Sequence, residues 1–153
     1  MAWFKKTEET TPVTKDRLEQ WFSSRGYSMS WEDDTAYAIF DGFYTRFDVG
    51  HDALTTVGVH YPELPIPPER IDELTSFVET RNREGSLGIC YLKENEGHVD
   101  FVSDHSFITV KGASDEQIDE WIDAGISAQL GHAMALCEQF GVQPPVEPPS
   151  DDA

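Results

Sequence analysis

Residues 35–61, TAYAIFDGFYTRFDVGHDALTTVGVHY, alternate apolar and polar side chains in three runs, broken by turn residues at Asp41-Gly42 and at Gly50-His51-Asp52. This pattern predicts a three-stranded antiparallel meander. An Asp-Gly pair between alternating runs is a strong hairpin signal, because a two-residue type I′ turn needs positive φ at both central positions. The turn sets the register: Phe40 faces Phe43, Ala38 faces Thr45 and Ala36 faces Phe47. Side chains repeat every second residue in a strand, so these six share one face. Tyr37, Ile39, Tyr44, Arg46 and Asp48 take the other. A three-residue loop over 50–52 brings Val57 and Val59 onto the face of Phe43 and Phe47, whereas an even loop turns them outward.

The full chain has 153 residues, a length that matches one domain with a core of ordinary size. No run approaches the roughly 18 apolar residues of a membrane span, and the opening MAWFKKTEETTP lacks the apolar region of a signal peptide. The expected location is cytoplasmic. Cys90 and Cys137 both sit in apolar periodic context, as reduced packing residues do. The formal charge is −18, from 29 Asp+Glu against 11 Lys+Arg, which disfavours nucleic acid and anionic membrane surfaces as partners. From Gly112 onward there is no Lys or Arg, and Asp115, Glu116, Asp119, Glu120 and Asp123 crowd one helix start, where carboxylates complement the helix dipole.

Around the meander the chain reads as follows. Residues 1–13 are a polar tail. A short helix from Thr14 buries Leu18, Trp21 and Phe22 and stops at Gly26, and residues 27–32 alternate as a first strand. Four prolines between Pro62 and Pro68 break the sheet, since proline cannot donate to a ladder. A second helix places Ile71, Leu74, Phe77 and Val78 on one side and ends at Gly85. Residues 87–92 and 98–102, joined by Asn95-Glu96-Gly97, form a second hairpin, apolar enough on both faces to be expected near the sheet centre. Ser114 opens a capping box with Gln117, and a helix of roughly 40 Å follows to Phe140. Residues 142–153 are a proline-rich acidic tail. The fold class is α+β: one antiparallel sheet of five to six strands with helices packed on it, in the order α-β-β-β-β-α-β-β-α, forming a single domain over residues 14–141.

This arrangement resembles the YbjN-like proteins of bacteria, the actinobacterial ones especially. Four stretches carry the resemblance: Gly26-Tyr27; Phe40-Asp41-Gly42-Phe43; Ile66-Pro67-Pro68-Glu69-Arg70, leading into a helix that closes on Asn82; and Ser114-Asp115-Glu116-Gln117-Ile118-Asp119. It spans roughly residues 14–140. It implies a fold similar to type III secretion chaperones and a role as a sensory transduction regulator without an established reaction. The chain departs from the family pattern at Gly85-Ser86-Leu87-Gly88, where many members carry an aromatic-proline-lysine run.

Two function classes compete. The first is a non-catalytic protein-binding module, chaperone-like or regulatory, using the second sheet face: Tyr37, Ile39, Tyr44, Arg46, Leu54 and His60. Aromatics and Arg are enriched at binding hot spots, although a helix of the same chain could equally cover that face. The rival is a small-ligand or metal-binding enzyme or sensor built on His98, Asp100, Asp104 and His105. Their spacing lacks the tight Cys or His pairs of structural zinc sites, so no metal or cofactor is expected. Ser106 and Ser127 have no base at a recognisable spacing, and His51 and His132 read as turn and helix histidines. No GxSxG or phosphate loop occurs, so the chain is read as a non-enzyme. The long helix outruns the sheet width, and Ala124, Gly125, Ala128 and Gly131 permit close approach. A homodimer contact is therefore expected around Leu130, Met134 and Cys137.

Overall fold

The computed structural model describes residues 9–85 and 87–148. Its elements are α1 (Lys15–Ser24), β1 (Ser30–Glu32), β2 (Thr35–Phe40), β3 (Phe43–His51), β4 (Leu54–Tyr61), a 3-10 turn (Pro68–Arg70), α2 (Ile71–Glu84), β5 (Ile89–Asn95), β6 (His98–Ile108) and α3 (Asp115–Phe140). All strand pairs are antiparallel, in the order β1-β2-β3-β4-β6-β5. This is the expected α+β architecture with six strands in the sheet.

The Asp41-Gly42 turn sets the register as read from the sequence. Both residues have positive φ, 51° and 83°, and Phe40↔Phe43, Ala38↔Thr45 and Ala36↔Phe47 are paired. The β3–β4 connection differs in construction but keeps the parity. His51 pairs with Leu54 across a two-residue turn, and two residues of β3, Val49 and Gly50, oppose Thr55 of β4. The loop is thus a tight turn plus a bulge, stabilised by the Ala53 N–H donating to His51 Nδ1 at 3.1 Å. Val57 and Val59 accordingly face the core beside Phe43 and Phe47, all fully buried.

All three α-helices pack on this one face. Thr14 caps α1, accepting from the Arg17 N–H, and sends Phe22 edge-on into Phe47 at 5.0 Å between ring centroids. Phe77 of α2 meets both Phe101 of β6 and Phe140 of α3. The Ser114–Gln117 capping box starts α3, and Gly141 ends it with φ 65°. α3 crosses the sheet so closely that a Cβ on Gly125 would stand 3.1 Å from Val57 Cβ. Burying each Phe or Leu of this layer contributes about 1.5–3 kcal/mol.

Four expectations need correction. β1 is only three residues long, because Tyr27 turns away to pack on Trp21 and Phe40. β5 lies at the sheet edge rather than near its centre, and only β6 is interior. Segments assigned to the tails touch the domain where they are described. Thr11 forms a bridge with Ala113, the Val146 N–H donates to Gly42 O at 2.9 Å, and the Tyr61 hydroxyl donates to Gln143 O. Residues 1–8 and 149–153 lie outside the described residues. Finally, Leu130 is 8% exposed and belongs to the core of its own chain, and Cys137 is half-buried, leaving Met134, at 48%, as the exposed member of that trio. Gly125 uses its small size against its own sheet, which removes one reason for a second copy on α3.

Candidate interaction face of the sheet

Because side chains alternate, the strands that bury their core residues on the helices must present the intervening ones on the opposite face. Among the described residues no helix covers that face. It carries Tyr37 and Ile39 of β2, Tyr44 and Arg46 of β3, His60 of β4, Val102 and Asp104 of β6, and Ile89, Tyr91 and Lys93 of β5. Tyr37, Ile39 and Tyr44 are 40%, 54% and 41% exposed.

The register explains the centre of the face. Tyr44 lies opposite His60, and Arg46 opposite Gly58, which in turn faces Asp104. Gly58 has no side chain to separate them; a Cβ there would stand 3.1 Å from Asp104 Cβ and 3.2 Å from Arg46 Nε. The Arg46 guanidinium therefore reaches across it and donates to Asp104 Oδ2 at 3.1 Å. The Tyr91 hydroxyl donates to the same oxygen at 3.1 Å. Burial, and then the Asp104 carboxylate, raise the Tyr91 phenol above its ordinary range, so it stays protonated and donates. Beside this group, His60 Nε2 lies 3.0 Å from Asp100 Oδ2, while Asp100 Oδ1 accepts from the Glu63 N–H at 2.8 Å. Burial opposes ionisation of Asp100, but the Glu63 N–H and the His60 ring outweigh it and hold the carboxyl below its ordinary range.

Of the six residues read from the sequence as one surface, Tyr37, Tyr44, Arg46 and His60 line a single depression with Tyr91, Lys93 and Val102, and Ile39 adjoins it. Leu54 does not belong with them. It pairs with Ile108 at the far end of β4, six residues from His60 and roughly 20 Å away at strand rise. Tyr91 and Lys93 escaped the sequence reading, and Asp104 was assigned to the rival set; alternation puts Tyr91 with Lys93 on one strand face, but only the pairing of β5 and β6 with β4 shows which face. The rival set does not converge. His98 is exposed beside the β5–β6 turn, Asp100 is taken by His60, Asp104 by Arg46, and His105 points to the helix side, where it packs on Phe107. Among the described residues, no three His, Cys, Asp or Glu side chains gather closely enough to hold a metal ion. None of the described helices is long and apolar enough to cross a membrane.

Residues 14–138 match the YbjN family, described as "Putative bacterial sensory transduction regulator". The fold is similar to the crystal structure of YbjN from E. coli, with a TM-score of 0.71 and 15% identity, covering 92% of this chain and 100% of that one. A protein of Methanothermobacter thermautotrophicus gives a TM-score of 0.58 at 13% identity, with 84% and 100% covered. A chain of the HopA1–SchA chaperone–effector complex gives 0.47 at 13% identity, with 84% and 98% covered. No curated protein matches the chain. At these identities the structural likenesses show the fold alone.

Proposed function

The chain belongs to the YbjN family, and from that premise we propose that it is a non-catalytic, regulatory protein-binding module of the cytoplasm that works through the open face of its sheet. The observation that carries this reading is the one-sided packing. All three helices lie on one face, and the other exposes Tyr37, Ile39, Tyr44, Ile89 and Tyr91 around the Arg46–Asp104 and His60–Asp100 pairs. Aromatic residues with an Arg among them are the types that dominate binding energy at interfaces, and such exposed apolar clusters mark interaction sites. The paired charges fix side-chain positions in advance, which lowers the entropy cost of association.

The test is affinity capture with the double variant Tyr44→Ala/Arg46→Ala beside the parent protein. Both residues are outside the core, so the melting temperature should fall by only about 2–4 °C for each kcal/mol lost, while partners recovered with the parent are lost. Equal recovery by both proteins, with both folded, would rule out this face as the binding surface.

A further inference from the structure

Building on the reading of the open face as a protein-binding surface, we propose that the site of engagement is the free edge of β2 and that its occupant is an extended, basic peptide segment added there as a further strand. β1 pairs with β2 only from Glu32 to Ser30, and the last pair is Ser30↔Tyr37. Past that point the chain at Ser28 and Tyr27 leaves the sheet, so among the described residues β2 continues through Ala38, Ile39 and Phe40 with no strand on that side. Phe40 and Phe43 flank the two-residue turn and bond each other, so the N–H and C=O of Ile39 point away from β3, toward the missing neighbour. Unpaired edge groups of this kind are a template for another strand.

The side chains around the edge supply the rest of a binding site. A groove runs between residues 27–30 and residues 37–41, and its rim collects Tyr27, Tyr37, Ile39 and Tyr44, all exposed. A strand laid on Ile39 alternates its own side chains onto the tyrosine rings of this rim. Its charge preference follows from the ionic groups nearby. Asp41 is the charged residue that lines the groove, and Glu32, Asp33 and Asp34 stand exposed at the other end of the same edge. The cations nearest the groove are engaged: Lys15 with Asp33 O and the Trp31 ring, Arg25 with Asp119, Asp123 and the Trp21 ring, and Arg46 with Asp104. Lys93 stands on β5, at the opposite edge of the sheet from β2 and the short β1. A chain of net charge −18 adds a long-range field of the same sign. Lys or Arg side chains of the incoming segment meet carboxylates and the faces of Tyr rings, both of which attract cations. A second copy of this chain is a poor occupant, since pairing the two edges about a two-fold axis would bring Asp41 of one copy toward Glu32, Asp33 and Asp34 of the other.

A library of random twelve-residue peptides displayed on phage, selected on the full chain, tests this. The expected binders alternate apolar with Lys or Arg positions. They should weaken about tenfold or more with Ile39→Arg, which places a like charge in the groove, and also with Ile39→Pro, which removes the edge N–H. Amide hydrogen exchange gives the direct reading, for the Ile39 amide should exchange freely alone and become protected when a synthetic copy of a selected peptide is added. Ile39 is exposed, and a melting curve checks that both variants fold. Selected peptides that protect strands around Tyr91 and Val102 but leave Ile39 unprotected would overturn the edge site and leave the open face as the binding surface. Acidic binders would overturn the charge assignment. A selection that yields no binder overturns the proposal, and loss of the open-face reading as well would show separately, as equal capture by the Tyr44→Ala/Arg46→Ala variant.

Discussion

His132 shows how much a single side chain can be asked to hold. It is buried on α3, with Nδ1 accepting from Arg81 Nε of α2 at 3.0 Å and Nε2 lying 3.0 Å from the carbonyl of Leu87 in the α2–β5 connection. Arg81 can only donate, so the neutral ring carries its proton on Nε2 and gives it to Leu87 O. A second proton would sit on Nδ1 facing a guanidinium. Burial, and the Arg81 charge beside it, lower the His132 pKa below its ordinary 6.5, against the raising effect of the Leu87 carbonyl. A histidine with a depressed folded pKa stabilises the fold fully above its unfolded value, and that stability is lost as pH falls from there toward the folded value. Urea denaturation should show the parent losing up to about 1.4 kcal/mol per pH unit just below 6.5. His132→Gln should lose less over the same window; parallel slopes would mean that the ring is protonated alike in both states. Neither this role nor that of Gln129, buried with Oε1 accepting from the Ser103 hydroxyl at 2.7 Å, was legible in the sequence. Both residues lie within an otherwise apolar helical stripe, and their partners belong to other elements.

Among the elements, β5 is the one whose place the sequence misreports. Its apolar residues on both faces argue for an interior strand, yet it forms an edge. The physical reason is Asn82 at the end of α2. Its Oδ1 accepts from the Cys90 N–H at 2.7 Å and its Nδ2 donates to Cys90 O at 2.8 Å, so one side-chain amide replaces a neighbouring strand at that point. The inner side of β5 is covered by α2, while its outer side, with Ile89 and Tyr91, is exposed on the open face. Asn82→Ala should cost about 2–3 kcal/mol in urea denaturation, two bonds to a strand backbone being lost. It should also speed exchange of the Cys90 amide. If Cys90 remains as protected as before, the edge is held by packing alone. By contrast the meander was fully legible, because Asp41-Gly42 admits one turn type and that turn fixes every pair from Thr35↔Asp48 to Phe40↔Phe43. The β3–β4 bulge was not legible, since a three-residue loop and a two-residue turn with one extra residue give the same parity.

At the scale of the whole molecule, architecture followed from periodicity, while the extent of the open face depended on long-range pairing that periodicity does not encode. The pairing of β4 with β6 brings Arg46 and Asp104, 58 residues apart, into contact across Gly58. The one-sided layering has a further consequence for how such a protein can diverge. Odd positions of β3 and β4, such as Phe43, Thr45, Phe47, Val57 and Val59, hold the core, while even ones, such as Tyr44, Arg46 and His60, do not. Under the proposed function, foldability and recognition are separated by parity along the same strands, so residues on the open face can change one at a time without passing through an unstable intermediate. A saturation scan of residues 35–61, sorted by proteolytic survival, should show tolerance rising and falling with a period of two. Polar replacements should cost about 2–5 kcal/mol at the buried positions and within about 0.5 kcal/mol at most of the exposed ones.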